Sequence, residues 1–147
     1  MYKHLLLPTD GSALSEQAVI HGIEFARAIS ARVTGIHVLP QPAFSASENW
    51  VHGGQDFHRN LDEIFKKQAA QYLAFIVQQA KQADVKCDCV SVVGRLPHEE
   101  VIKAAKSKTC DLIYMASHGE KGAAAVLVGS ETLKVLTHSP IPVLVHR

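Results

Sequence analysis

Two short apolar runs, residues 4–7 and 111–115, restrict the folds open to this chain more than any other feature. The second run is apolar after its first residue, and both end at turn-forming or small residues. Such runs are typical of strands that are buried on both faces. The segments between them carry apolar residues at three- and four-residue spacing, which is the period of a helix. This alternation predicts an α/β domain with a parallel sheet, right-handed crossovers and helices on both faces.

The same reasoning predicts the elements in order. The first strand ends before Pro8, and Ser12 is the expected N-cap of a helix whose apolar positions run from Ala18 to Ile29. Residues 40–57 lack periodicity and are predicted to form a long loop. The remaining predictions are strands at 32–39, 85–93, 111–115 and 143–146, and helices at about 58–82, from Pro97, and at about 130–138. Alternation of charged residues and cysteines early in 85–93 indicates an edge strand.

Composition excludes several classes of protein. A chain of 147 residues is the size of a single domain, here 1–147, and a net charge of +1 without a block of like charges disfavours nucleic acid or a membrane surface as partner. The apolar run near the start is too short for a secretory signal, and no run approaches a membrane span. Three cysteines, an odd number, fit a reducing compartment. We therefore expect a cytoplasmic protein.

Two segments have the chemistry of a binding site. In parallel sheets ligands bind outside the carboxyl ends of the strands, and residues 8–12 and 116–130 both follow strands at that edge. Gly129 and Ser130 stand at a predicted helix N-terminus, where free N–H groups attract phosphate. Asp10 could accept hydrogen bonds from a ribose or an adenine amino group, although turn and capping chemistry would explain the same residue.

With these motifs in place, the sequence strongly resembles the universal stress protein family over nearly its whole length. The matching segments are HLLLPTDGS, GIHVLP, DLIYMASHG and LVGSETLKVLTHSPIPVLVHR. The resemblance implies a doubly wound, Rossmann-like sheet of the adenine nucleotide alpha hydrolase type, with five strands in the order 3-2-1-4-5. In the nucleotide-binding branch of the family, a loop of the form G-x-x-G, nine residues, then G-S or G-T holds ATP.

Gly119, nine residues and Gly129-Ser130 match that loop, whereas Ala116 replaces its first glycine. The extra methyl group is expected to weaken nucleotide binding without abolishing it. The resemblance implies ATP as ligand, with Mg²⁺ or Mn²⁺ carried by the phosphates and no protein metal site. The nucleotide-binding residues that it implies are Pro8, Thr9, Asp10, Val38, Met115, Ala116, Gly119, Gly129, Ser130, Glu131 and Thr132. The side chain of Glu131 is expected to point away from the phosphates.

Other candidate sites are weaker. His52, Asp56 and His58 match no tight metal-binding pattern, and Cys87 and Cys89, at i and i+2, are expected to be buried, inert thiols. His118 and Lys121 are as compatible with loop packing and solvation as with catalysis or phosphate contact. The chain lacks a Walker lysine motif and a G-x-G-x-x-G fingerprint after the first strand, which disfavours a P-loop NTPase or a dinucleotide dehydrogenase.

The last strand, 143–146, would leave an apolar edge without a neighbour. The family resemblance implies a homodimer that pairs through it, although a loop or helix of the same chain could also cover it. We therefore predict a stress-response module that binds ATP, with occupancy ordering residues 116–128 and biasing the dimer surface. The alternatives are a nucleotide-free interaction dimer and a slow ATPase.

Overall fold

The structure, a computed structural model, describes residues 1–41, 54–119 and 128–147, and of residues 54–58 it describes the backbone alone. Neighbouring strands are all parallel, and their order is β3-β2-β1-β4-β5. The predicted doubly wound sheet with strand order 3-2-1-4-5 is therefore confirmed. The strands are β1 (His4–Pro8), β2 (Arg32–Pro40), β3 (Cys87–Gly94), β4 (Leu112–Ala116) and β5 (Val143–His146). The helices are α1 (Ala13–Ala28), α2 (Gly54–Gln82), α3 (Pro97–Ser107) and α4 (Ser130–His138).

Successive residues of the central strands supply separate apolar clusters on the two faces of the sheet. Leu5 and Leu7 of β1 pack into a cluster with residues of α1 and α2. Leu6, between them, packs into a second cluster with residues of α3 and α4. Because side chains alternate across a strand, a strand covered on both faces must be apolar at every position. This explains the unbroken apolar runs of β1 and β4.

Three helices end in the same way before the next strand. Ser30, Asp84 and Thr109 follow α1, α2 and α3 with φ angles of 55°, 55° and 56°. After the last of these, the N–H of Cys110 donates to the carbonyl of Ala105 at 2.8 Å. A residue in the left-handed region followed by such a back-bond is the Schellman motif, which satisfies carbonyl groups at a helix end. It turns each helix sharply back toward the sheet.

Strands β3 and β4 begin later than predicted, because the residues expected to start them make other hydrogen bonds. Val85 was expected in β3, but its N–H donates to the carbonyl of Ala80 at 2.9 Å in the turn that ends α2. Asp111 was expected in β4, but its carboxylate accepts hydrogen bonds from the N–H groups of Lys3 and His4 at 2.8 and 2.9 Å. Asp111 thus joins β4 to the start of β1, and β4 begins one residue later.

The predicted loop 40–57 is shorter at both ends than expected. Pro40 pairs with Gly94, so that β2 and β3 each extend one residue beyond the predicted ends. Helix α2 begins at Gly54 and not at residue 58. The other loop residues, 42–53, lie outside the described part of the chain.

Candidate functional site

A cavity of about 650 Å³ opens at the carboxyl ends of β1, β2 and β4, above the point where the strand order reverses. All eleven residues predicted to bind nucleotide line this cavity, and they come from four separate segments of the chain. The sheet edge thus brings together what the sequence scatters between residues 8 and 132. The predicted residues are Pro8, Thr9, Asp10, Val38, Met115, Ala116, Gly119, Gly129, Ser130, Glu131 and Thr132.

The turn between β1 and α1 is held by its own polar side chains. Asp10 Oδ1 accepts hydrogen bonds from the N–H and the hydroxyl of Ser12, at 3.0 and 2.6 Å. Ser12 in turn caps α1 by accepting from the N–H of Ser15 at 3.2 Å, which confirms it as the N-cap. One carboxylate oxygen of Asp10 therefore has the turn-forming role that was the alternative to ligand binding. The other faces Gly119, where an added Cβ would contact Asp10 Oδ2.

Gly11 is the one residue of this turn that must be glycine. Its φ is +80°, in the region that L side chains disfavour, and a Cβ there would overlap the ring of Tyr72 from α2. The Tyr72 ring also meets the imidazole of His37 edge-on, with the ring centres 5.1 Å apart. His37 lies 2.8 Å from the carbonyl oxygen of Thr9 through Nδ1, which therefore carries the hydrogen. These contacts join α2 and β2 to the turn that borders the cavity.

Ala116 ends β4 with its side chain in the core. The residue is 7% exposed and belongs to the apolar cluster on the α1 and α2 face, together with Tyr114. Its carbonyl oxygen accepts a hydrogen bond from the hydroxyl of Thr132 at 3.0 Å. Met115, whose side chain alternates to the other face, packs in the cluster with α3 and α4. The backbone of β4 and the start of α4 are thereby fixed to each other.

Helix α4 presents its N-terminus to the cavity. Gly129 is the N-cap, with extended backbone and no side chain to satisfy the first-turn N–H groups. Its own N–H donates to the carbonyl of Ser117 at 2.6 Å, and an added Cβ would lie 3.0 Å from Cα of His118. Close packing, and not a positive φ, therefore favours glycine here. The N–H groups that follow, beginning with exposed Ser130, form the kind of helix end that binds anions.

The side chain of Glu131 reaches from α4 to the N-terminus of α3. Its Oε2 accepts from the backbone N–H of His98 at 3.0 Å and lies 3.0 Å from Nδ1 of the same residue, while Oε1 accepts from Nζ of Lys134 at 2.7 Å. Partial burial alone would raise the pKa of Glu131, but the hydrogen bonds from Lys134 and His98 outweigh it and lower that pKa. The N-cap of α3, Leu96, offers no side-chain cap, so Glu131 supplies one.

Sequence reasoning missed four side chains of the site region. Three of them, His37, Ser15 and His98, contact predicted residues from neighbouring elements. The fourth, Tyr72, packs against His37 and Gly11. A signal existed for His37, which precedes the predicted contact Val38 at the end of β2. The sequence also offered a signal for His98, because this residue lies in the first turn of a helix that follows a strand. Their partners are 28 and 33 residues away, however, and no local pattern indicates such pairs.

Of the weaker His, Asp and Lys candidates, His118 borders the cavity and the side chains of the others lie beyond the described residues. Lys121, with all of 120–127, and the side chains of His52, Asp56 and His58 are outside the part described. His118 lines the cavity, and its Nδ1 lies 3.1 Å from the hydroxyl of Ser117. In residues 1–41, 54–119 and 128–147, no three His, Cys, Asp or Glu side chains come together as a metal site, and no helix is long and apolar enough to cross a membrane.

The cysteine prediction was wrong about burial. Cys87 and Cys89 are half-buried, because β3 is an edge strand with a neighbouring strand on one side only. Their Sγ atoms lie 4.0 Å apart, and the hydrogen bond between them raises the pKa of Cys87 and lowers that of Cys89. Cys110 is the buried thiol, and desolvation raises its pKa to about 11.

Comparison with known proteins agrees with this architecture. Universal stress protein MJ0531 of Methanocaldococcus jannaschii is 30% identical over 99% of this chain and 82% of its own length. A solved structure of protein MJ0577 from the same organism is 32% identical, covers 99% of this chain and 95% of that chain, and superposes with a TM-score of 0.81. A universal stress protein solved in complex with cAMP shares the fold, with a TM-score of 0.72 at 24% identity, covering 99% and 97% of the two chains.

The family model extends over the full length of the sequence. It is described as the universal stress protein family and matches residues 1–147. The confirmed strand order and the relatives at 30% identity point the same way. This chain therefore belongs to the universal stress protein family.

Proposed function

We propose that this protein binds an adenine nucleotide in the cavity at the carboxyl ends of β1, β2 and β4. The observation that carries the proposal is the meeting of four distant segments around one cavity that also contains the uncapped N-terminus of α4. Family members solved with cAMP, with dAMP, and, from Arabidopsis thaliana, with AMP support adenine nucleotides as the ligand class. The cavity volume of about 650 Å³ is within the range of small-molecule sites.

In this proposal the two ends of the cavity have different roles. Val38 and Met115 supply apolar surface for the base, and Asp10 accepts from the ribose or the base. The first turn of α4, from Gly129 to Thr132, donates backbone N–H groups to the phosphates. Gly119 permits the loop to approach Asp10 closely, since a side chain there would contact the carboxylate.

ATP is the nucleotide that the resemblance of the glycine loop to the family pattern implies, and we propose that Mg²⁺ or Mn²⁺ accompanies it. None of the described residues lining the cavity is a lysine or an arginine. A triphosphate would therefore depend on backbone N–H groups and on a divalent cation, which Mg²⁺ supplies through phosphate oxygens and water with few protein ligands. The residues present fit this arrangement, because they provide hydrogen-bond donors for phosphate without a metal-ligand cluster.

A single substitution pair tests the phosphate end of the site. Ser130→Asp places a carboxylate at the first helical position of α4, where it repels phosphate but suits the helix dipole. We expect calorimetric affinity for AMP and for ATP with Mg²⁺ to fall about tenfold or more, with adenosine affinity and thermal stability retained. Thr137→Asp, on the same helix and about 10 Å away along its axis, is the matched control and should bind like wild type.

The outcomes separate the candidate functions. If the wild-type protein binds no adenine nucleotide up to millimolar concentration, the nucleotide-free interaction dimer becomes the favoured function. An equal loss of nucleotide affinity in Ser130→Asp and Thr137→Asp would mean that the phosphates do not bind at the N-terminus of α4. Phosphate release from ATP that disappears in Ser130→Asp would make the protein a slow ATPase.

We further propose that the protein acts as a cytoplasmic stress-response homodimer whose partner surface responds to nucleotide occupancy. Strand β5 ends the sheet, and in the described residues no strand pairs with its outer side. All four residues of β5 are half-buried within the protomer and apolar except for His146. An edge of this composition favours pairing with a second copy.

A further inference from the structure

A carboxylate held between α4 and α3 lies beside the proposed phosphate end of the cavity. Glu131 occupies the first turn of α4, among the residues proposed to hold phosphate, and lines the cavity itself. Its side chain is held by three contacts, two from His98 and one from Lys134, at 2.7–3.0 Å. It cannot swing aside for a ligand without breaking the cap that it forms on α3.

The surrounding charges offset this carboxylate only in part for a bound triphosphate. Lys134 contacts it but does not line the cavity, and the basic side chains among the described lining residues are three histidines: His37, His98 and His118. The N-termini of α1 and α3 both border the cavity, but Ser12 caps the first and the second already has Glu131 as its anion. Only the N-terminus of α4 remains for phosphate in the described part of the site.

From this geometry we infer that Glu131 is a selectivity residue that disfavours each additional phosphate, so that the protein prefers adenosine monophosphates to metal-free ATP. The inference rests on the proposed nucleotide site and specifies its ligand class. Repulsion from a fixed carboxylate increases with the number of negative charges on the ligand. Divalent cation bound to the phosphates removes two of those charges, so Mg²⁺ should reduce the discrimination.

The test compares affinities for adenosine, AMP, ADP and ATP without divalent cation in wild type and in Glu131→Gln. The amide removes the charge but still offers an oxygen to the His98 N–H. In Glu131→Gln we expect the affinity for ATP to rise about five- to tenfold, the affinity for AMP about twofold, and the affinity for adenosine not at all. Adding Mg²⁺ should raise ATP affinity in both proteins, and by a larger factor in wild type than in Glu131→Gln.

Two further variants complete the test. Glu99→Gln removes a carboxylate in the first turn of α3 that does not line the cavity, and it should change no affinity. Lys134→Gln removes the cation that contacts Glu131 and should weaken ATP about twofold while leaving adenosine unchanged. Equal changes for all four ligands in Glu131→Gln, or a loss of ATP affinity, would overturn the inference. Binding of none of the four ligands by any variant would instead overturn the proposed function.

Discussion

The methyl group of Ala116 packs in the apolar cluster on the α1 and α2 face of the sheet, although the residue also borders the cavity. The part of residue 116 fixed next to the ligand region is its backbone, whose carbonyl holds Thr132. A methyl group directed into the core adds little to the space that a ligand must avoid. The alanine is therefore compatible with nucleotide binding.

Ala116→Gly tests this directly. We expect AMP affinity to change less than about threefold, while the free energy of unfolding falls by about 0.5–1 kcal/mol because glycine is entropically costly in a strand. Calorimetry measures the AMP affinity, and thermal melting measures the change in stability. A tenfold gain in affinity would mean that the methyl group meets the ligand, as the glycine in the family's loop pattern originally suggested.

At the scale of elements, the three Schellman turns end helices without the glycine that such turns favour. Thr109 is the least suitable of their left-handed residues, because it is β-branched. Thr109→Gly should therefore stabilise the protein by about 1 kcal/mol, which raises Tm by about 3 °C in a chain of this size. Lys108→Gly, at the preceding position with φ −88°, should lower Tm instead, since an ordinary helical residue gains nothing from glycine. A lower Tm in both variants would contradict the explanation.

The elements themselves were predictable because their patterns are local. Unbroken apolar runs identified β1 and β4, helical spacing identified α1 and α2, and the predicted bounds of α4 and β5 were correct. The starts of β3 and β4 were predicted too early. Val85 belongs to the turn that ends α2, and Asp111 is bound by its side chain to a residue 107 positions away in the sequence. The site followed the same rule: the family resemblance implied residues along the cavity wall, but not the side chains that hold them from other elements, such as His98.

For the whole molecule, the outer edge of β5, with which no strand of the described residues pairs, is the feature with most consequence. Pro142 and His146 accept hydrogen bonds from Ile113 and Ser117, so alternate residues of β5 face β4. Those between, Val143 and Val145, direct their backbone groups outward, where a second chain can pair with them.

Val145→Pro should therefore convert a dimer to a monomer. Proline removes an outward N–H and blocks strand pairing, yet costs no hydrogen bond to β4. Light scattering after gel filtration should give about half the wild-type mass, and Val145→Ala, which keeps the N–H, should remain dimeric. A monomeric wild type, or a Val145→Pro variant of unchanged mass, would exclude pairing through β5.

The parallel direction of all five strands gives such a dimer a definite polarity. A two-fold axis between two copies of β5 makes the paired strands antiparallel and joins two sheets of five strands into one of ten. The carboxyl ends of the strands then point in opposite directions in the two halves, and so do the two cavities. The two nucleotides would then lie at opposite edges of the ten-stranded sheet, and the central pair of strands would be the connection that the sheet provides between them.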